Sequence, residues 1–363
     1  MKATIQKLFK NEIFLSLLLL FLTTLVTYAN SITKLGYYHD DWYLLWSGQA
    51  RGAASIIPLF QSDRPFMGVV YSLVYRLLGD VIINWQLYAL FWRFVGAAAF
   101  FWILRLIWPN NKYITTMMAV LFVIYPGFLS IPNANTKQNH LYGFGTALLS
   151  IAFMLQALKI TRKKWKIALY FASFILAVNY LFIYEYMIGL EGMRLLLLSY
   201  TLFQQKYKNV RSLTLEILKK WWPFPIAMAS FVYWRIFIFD SSRNATDASR
   251  LVGDYLGDLR NMSFRLIFET GKDFLDTSIF AWFYKPYILF SNAEYSNLGY
   301  AFLMAGIVIG LVYLYSIMLK RSAQPDDDNE SSTQKLISTF IILDAIIMVC
   351  AIFPVVLSGR DVD

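Results

Sequence analysis

The chain has 363 residues, of which 58% are hydrophobic and only 15% are charged. Soluble domains average about 25% charged residues, so the composition excludes an ordinary soluble enzyme and indicates a membrane protein with several spans. The net charge of +10 does not indicate nucleic-acid binding, because the basic residues lie in short segments between apolar runs and not in one patch. The single cysteine, Cys350, excludes an intrachain disulfide and a cysteine-based metal site.

Nine apolar runs predict membrane-spanning helices, each of which needs about 20 residues. The first, Ile13–Ala29, follows three lysines and is interpreted as a retained span and not as a cleaved signal peptide, since further spans follow it. The others are Ile82–Ile107, Tyr113–Ile131, Leu141–Leu158, Ile167–Tyr184, Tyr186–Phe203, Trp221–Phe239, Tyr300–Leu319 and Leu336–Leu357. The predicted fold is a single all-α, polytopic transmembrane bundle that covers residues 1–363.

The distribution of positive charge predicts how these spans are oriented. Eighteen Lys and Arg residues lie in the segments 1–12, 105–112, 159–166, 204–220 and 320–335, whereas the short loop 131–140 holds only Lys137. Cytoplasmic loops carry the excess of basic residues. The N-terminus and the polar linker 322–334 are therefore predicted to be cytoplasmic, and the long loops 30–81 and 240–299 to be extracytoplasmic, in what we expect to be a bacterial cell membrane.

Both long loops contain segments with helical periodicity that are too short or too charged to span. In "DRPFMGVVYSLVYRLLGD" (Asp63–Asp80), Pro65 suits a first helical turn and Gly79 suits a helix stop. Its apolar part gives only about 21 Å of helix, less than a ~30 Å bilayer core. This segment and Leu251–Phe290 are therefore predicted to form amphipathic helices along the membrane surface.

The stretch "GYYHDDWYLLWSG" (Gly36–Gly48) places two adjacent acids, Asp40 and Asp41, about ten residues after the first span. Its tyrosines and tryptophans are of the kind that hold a segment at the level of the lipid headgroups. Two solvated acids, one of which caps a helix, would explain the pair as well. A partly desolvated carboxylate at this level would instead have a raised pKa, as a general base needs.

With these features, the sequence resembles the GT-C superfamily of integral membrane glycosyltransferases, in particular its protein-mannosyltransferase-like and aminoarabinose-transferase-like bacterial members. The resemblance rests on "HDDW" after the first span, on "DRPF" (Asp63–Phe66), and on "YPGFL" (Tyr125–Leu129) and "EYMIGLEGMR" (Glu185–Arg194). It implies inverting transfer of a sugar from a polyprenyl-phosphate donor to a lipid, glycan or protein acceptor on the extracytoplasmic face.

The resemblance also suggests roles for individual residues. Asp40 would be the base that deprotonates the acceptor, and Asp41 would orient the acceptor or help to hold a cation. The residues expected to bind substrate are His39, Arg64, Lys137, His140 and Glu185. The cationic members of this set would bind the leaving phosphate.

The sequence departs from the family pattern at two places. The loop "PNANTKQNH" (Pro132–His140) lacks the second acidic site that family members often carry. The acidic pair alone is therefore compatible with a metal-free site and with one that uses a divalent cation, and no cofactor is assigned. The chain also ends soon after a span at "SGRDVD", so the protein is expected to be a short relative or a chain that continues further.

Four further ionisable residues lie within predicted spans or close to their ends. Arg93 is mid-span, where charge is costly, and is predicted to pair with Asp344 in another span. Glu191 and Arg194 are three residues apart, so they are predicted to form an ion pair on one helix face.

Two other functions stay open at the level of sequence. A lipid-linked oligosaccharide flippase or transporter would need helices broken by glycine or proline at symmetric positions, which are few here. An O-antigen polymerase-like protein would use arginines of a large outer loop, for which Arg243, Arg250, Arg260 and Arg265 are candidates.

Overall fold

The computed structural model describes residues 11–127, 138–205, 209–239, 257–291, 293–322 and 330–357. Within these ranges the regular structure is entirely helical. The α-helices are α1 (Glu12–Tyr28), α2 (Asp41–Arg51), α3 (Pro65–Leu78), α4 (Ile82–Ile107), α5 (Lys112–Val123), α6 (Gln138–Lys159), α7 (Lys163–Ile183), α8 (Gly189–Phe203), α9 (Val210–Trp221), α10 (Pro223–Tyr233), α11 (Leu259–Leu275), α12 (Ala281–Ser291), α13 (Tyr295–Ser322) and α14 (Glu330–Leu357). The predicted all-α bundle is confirmed at this level.

The long helices run up and down, and contacts at both ends fix their directions. At one end Glu12 of α1 pairs with Arg105 near the end of α4. At the other end the hydroxyl of Tyr28, the last residue of α1, donates to the carbonyl of Val123, the last residue of α5 (2.7 Å). We call this second end, where α1 and α5 finish and α4 and α6 begin, the upper end.

The core lies where α6 packs between α4 and α7. Small residues of α6 allow this close approach, since a Cβ on Gly145 would stand 2.9 Å from the ring of Trp92 on α4. The side chains of α6 at this contact are buried, among them Leu148, Ile151 and Leu155. Such dense packing of apolar and small residues makes these three helices the rigid frame of the molecule.

A buried polar network crosses this frame. Arg194 of α8 is fully buried and donates to Glu191 (2.8 Å), to Ser173 of α7 (3.1 Å) and to Ser150 of α6 (2.7 Å). The Tyr180 hydroxyl also donates to Glu191. The predicted Glu191–Arg194 ion pair is thus confirmed. Through the serines it also connects α8 to α6 and α7, which was not predicted.

Four helices are long and apolar enough to cross a membrane: α4, α6, α7 and residues Tyr295–Lys320 of α13. Nine spans were predicted, but among the described residues only these four helices have the length and the apolar composition that a span requires. Several of the remaining predicted segments form shorter helices, because the chain leaves the helical path earlier than the apolar run suggests. For example, α5 stops at Val123, three residues before Pro126, and α10 passes into the π-helical turn Trp234–Ile238.

The segment between α1 and α4 is built from short helices. It contains α2, the 3-10 helix Ala53–Phe60 and α3, which pack on one another. Pro65 is the first residue of α3, and Gly79 ends the helix with a positive φ of 68°, which side chains rarely adopt. The helical prediction for 63–80 is therefore confirmed.

The later long loop is helical where it is described. Its helix α11, the π-helical turn Asp276–Phe280 and α12 correspond to the periodic pattern of Leu251–Phe290, of which residues 251–256 lie outside the described chain. Arg260 and Arg265 lie on α11, while Arg243 and Arg250 are outside the described residues. The described end of the predicted polar linker, residues 330–334, already belongs to α14.

Helix α14 packs against α8 at two glycines. A Cβ on Gly189 would overlap the backbone carbonyl of Cys350, and a Cβ on Gly192 would stand 2.8 Å from the Cβ of Cys350. The two backbones therefore approach each other as closely as small-residue helix interfaces in membranes allow.

The predicted pairing of Arg93 with Asp344 is wrong. The guanidinium of Arg93 lies 4.2 Å from the ring centroid of Tyr28. The physical reason is the order of the helices: α4, which carries Arg93, packs against α6, α5 and α1, whereas α14, which carries Asp344, packs against α8 and α11.

Candidate functional site

The two acids that open α2 have different surroundings. Asp41 is fully buried, and its Oδ2 accepts a hydrogen bond from the backbone N–H of Tyr38 (3.2 Å). Asp40 precedes the helix, is exposed, and makes no side-chain capping hydrogen bond. The buried acid thus holds the loop in place, while the exposed acid remains accessible to solvent.

His39 and Tyr37 shape the loop in front of the acids. His39 is exposed and adopts a positive φ of 50°, a left-handed conformation that histidine tolerates better than most residues. The Tyr37 hydroxyl donates to the carbonyl of Asp80 just after α3 (2.5 Å). Burial, and then the charges of Asp80 and Asp41, raise the pKa of Tyr37 to about 12, so this phenol remains a neutral donor. The acidic motif is thereby attached to the residues just after α3.

At the other end of α3, Arg64 forms a two-pronged ion pair with Glu185. Its Nε donates to Oε2 (3.1 Å) and its Nη2 to Oε1 (2.7 Å), and its Nη1 lies 3.5 Å from Asp63 Oδ2. Arg235, in the π-helical turn, donates to the backbone carbonyl of Asp63 (2.8 Å). The start of α3 is thus held to the segments that follow α7 and α10.

The side chain of Tyr184 joins His140 to this ion pair. The Arg64 guanidinium lies 5.2 Å from the centroid of the Tyr184 ring. The His140 ring stacks on the same Tyr184 ring, with 4.1 Å between the two centroids. A ring nitrogen of His140 also hydrogen-bonds the Tyr186 hydroxyl. We call Asp63, Arg64, His140, Tyr184, Glu185, Tyr186 and Arg235 the Arg64 cluster.

The chain breaks its helical path where this cluster forms. Helix α7 ends at Ile183, Tyr184 is extended (φ −137°, ψ 117°), and residues Glu185–Ile188 form a 3-10 helix before α8 begins. This confirms that the apolar segments Ile167–Tyr184 and Tyr186–Phe203 are separate helices. The break turns three polar side chains toward the upper end of α6, where His140 lies.

The charges of the cluster stabilise one another. Burial raises the pKa of the Glu185 carboxyl, but the adjacent Arg64 guanidinium outweighs that effect and holds the pKa below its ordinary value. The same pairing outweighs burial on Arg64 and raises the pKa of its guanidinium. Both groups are therefore charged at neutral pH, and Glu185 is not poised as a proton acceptor.

The structure brings together three of the seven predicted site residues, namely Arg64, His140 and Glu185. The acidic pair lies near the opposite end of α3, because Tyr37 bonds to Asp80 whereas Arg64 precedes Pro65. Lys137 is outside the described residues. Asp63, Tyr184, Tyr186 and Arg235 were not predicted as site residues. The only signals for them were that Asp63 adjoins Arg64, that both tyrosines adjoin Glu185, and that Arg235 lies near the end of a predicted span. Within the described ranges, no three His, Cys, Asp or Glu side chains lie close enough to hold a metal ion.

The Arg64–Glu185 pair predicts a pH-dependent stability. A carboxyl whose pKa is lowered on folding stabilises the protein fully above its ordinary pKa of 4.5, and this stabilisation is lost as the pH falls through the lower folded value. We expect the melting temperature of the wild type to fall between pH 6 and about pH 3.5 by roughly 2–4 °C more than that of Glu185→Gln. Equal pH slopes, measured by thermal unfolding in one detergent, would contradict this.

Comparison with known proteins finds no protein-family model that matches the chain, and no curated protein matches it either.

Proposed function

We propose that the protein is an inverting glycosyltransferase that moves a sugar from a polyprenyl-phosphate donor to an acceptor at the membrane surface. The observation that supports this best is the convergence of Arg64, His140 and Glu185, which are far apart in sequence, beside a surface helix whose other end holds an acidic motif. Charged groups at the end of a membrane bundle can reach a donor whose phosphate cannot leave the bilayer surface.

In this proposal Asp40 is the base. It is the exposed member of the acidic pair, and it lies at the start of a helix whose exposed residues include Trp42, Tyr43 and Trp46. These aromatic residues are suited to the membrane–water interface, where a lipid-borne sugar and a water-borne acceptor meet. A carboxylate at this level can take the proton of an acceptor hydroxyl as it attacks the anomeric carbon. The leaving group is the carrier phosphate.

The proposed topology follows from the same geometry and the positive charge. The upper end faces outward, with α2, α3 and α11 along the membrane surface, and the basic segments near Glu12, Lys159 and Lys219 face the cytoplasm. Together with the four long helices, α8 and the shorter apolar helices α1, α5, α10 and part of α14 make up a bundle of nine membrane-embedded segments. A donor then enters from the outer leaflet.

The proposal is tested by mass spectrometry of lipid carriers from cells that contain or lack the protein. A transferase consumes its donor, so we expect a polyprenyl-phosphate sugar to accumulate in cells without the protein and in cells that carry only Asp40→Asn. Wild-type protein should remove it. An unchanged carrier pool in all strains contradicts sugar transfer from a polyprenyl phosphate, and a pool that Asp40→Asn restores to normal points to transport, not catalysis.

A further inference from the structure

Helix α9 lies at the end of the bundle opposite the upper end, and the proposed function does not use it. The preceding helix α8 ends at Phe203, and its Tyr200 hydroxyl accepts a hydrogen bond from the indole N–H of Trp108, the residue after α4 (3.2 Å). The following helix α10 begins at Pro223. Because α4 and α8 end here and α10 starts here, α9 runs between helices that the proposed topology embeds in the membrane, at the level where they leave it.

Large apolar side chains occupy two faces of this short helix. One face packs on the core of the bundle through three partly buried residues, Leu213, Ile217 and Trp221. On the opposite face, Leu215, Leu218 and the adjoining Trp222 follow one another at spacings of three and four residues. They are exposed at 58%, 50% and 61%. A helix face in water would carry polar residues there, so this exposed row indicates contact with an apolar medium.

Positive charge flanks the exposed apolar row. Arg211 lies one helical turn before Leu215 and Lys219 lies one turn after it, and both basic side chains are exposed. The only acid of α9, Glu216, already pairs with Lys220 (3.2 Å). The apolar row is therefore accompanied by two cations that no acid of the helix neutralises.

This combination of groups fits the surface of an anionic membrane. In such a helix the apolar side chains enter the boundary between headgroups and acyl chains, while arginine and lysine extend their charged ends to the lipid phosphates. Anionic lipids attract basic residues held at the membrane surface, so the charge of α9 is complementary to theirs. Both ends of α9 continue into apolar helices, which hold the exposed row at the edge of the bilayer.

We propose that Arg211, Leu215, Leu218, Lys219 and Trp222, which we call the α9 surface, bind anionic phospholipids in the leaflet at this end of the bundle. The proposed topology makes this the cytoplasmic leaflet. The three apolar residues lie among the upper acyl chains, and the arginine and the lysine contact the lipid phosphates. This inference requires the chain to lie in a membrane, but it does not require the chain to transfer a sugar.

The test uses a fluorophore attached to the full chain at Leu215→Cys, in a Cys350→Ala background that keeps the Cβ beside Gly192. The protein is placed in nanodiscs of phosphatidylcholine, to which phosphatidylglycerol or phosphatidylcholine with brominated acyl chains is added. Bromine quenches the fluorophore only on contact, so quenching reports which lipid lies against α9. We expect both lipids to quench, and phosphatidylglycerol to quench at the lower mole fraction.

Charge variants then test the role of the two cations. Arg211→Gln/Lys219→Gln should lower the preference for phosphatidylglycerol by roughly fivefold for each cation removed, and Arg211→Lys/Lys219→Arg should keep it. All these side chains are exposed, so the variants should fold. The matched control Arg51→Gln/Arg76→Gln removes two exposed arginines near the upper end and should leave the preference unchanged.

Two results would overturn the α9 surface as a lipid site. Absence of quenching by either lipid would show that the apolar row lies outside the bilayer, where water or a soluble protein covers it. Equal quenching by the two lipids in the wild type, or an unchanged preference in Arg211→Gln/Lys219→Gln, would show that the cations do not recognise anionic lipids. Neither result depends on sugar transfer, so the proposed function is tested separately.

Discussion

Replacing Asp40 by asparagine is expected to lower the rate of sugar transfer by about 10²–10⁴-fold, the usual loss when a general base is removed. Asparagine has nearly the same shape as aspartate but cannot take a proton from the acceptor hydroxyl. Asp40 is exposed and makes no capping hydrogen bond through its side chain, so the protein should remain folded. The measurement is transfer by the purified protein in nanodiscs, with donor binding recorded alongside.

Asp41→Asn is the matched control for this experiment. The asparagine oxygen can still accept the hydrogen bond from the Tyr38 N–H, so the loop should keep its conformation and the loss of rate should be smaller. A dead Asp41→Asn protein beside an active Asp40→Asn protein would reverse the two roles. If both variants turn over normally, the acidic pair is structural, and the proposed function loses its main support at the level of residues.

Replacing Glu191 by leucine is expected to destabilise the protein by about 3–5 kcal/mol, because it leaves the charge of Arg194 buried without its carboxylate. Both side chains are almost completely buried, so water cannot replace the lost partner. Ser150 and Ser173 would still accept hydrogen bonds from Arg194, but neither carries a charge. The loss is measured as the change in unfolding free energy, or in melting temperature, in one detergent.

Two variants calibrate that result. Lys220→Ala breaks the more exposed Glu216–Lys220 pair of α9, for which about 0.2–1 kcal/mol is expected. The double variant Glu191→Leu/Arg194→Met removes both buried charges and should regain most of the lost stability. If Glu191→Leu costs no more than Lys220→Ala, the buried pair does not hold α6, α7 and α8 together.

Features encoded by neighbouring residues were predictable from the sequence. Pro65 and Gly79 mark the start and stop of α3, since proline fits a first helical turn and glycine tolerates the positive φ found there. Glu191 and Arg194 share a helix face at a spacing of three, and their ion pair was predicted for that reason. Such features depend only on backbone geometry within a few residues.

Features that depend on the arrangement of helices were not predictable. Arg64 was predicted to bind phosphate, but its partner Glu185 is 121 residues away, and no local pattern shows that the two meet. Arg93 was paired with Asp344 because both are ionisable and mid-span, yet their helices have different neighbours. Apolar runs also predicted nine spans, although hydropathy does not show where a run such as that of α10 turns into a π-helix.

The glycine contact between α8 and α14 has a consequence for how the protein is made. The two helices are separated by 126 residues (204–329), which a ribosome needs roughly 6–25 s to synthesise at ~5–20 residues per second. Until α14 has been made, the face of α8 that carries Gly189 and Gly192 lacks the helix that covers it in the folded protein. We therefore expect this contact to form after the packing of α4, α6 and α7, whose residues are all synthesised earlier.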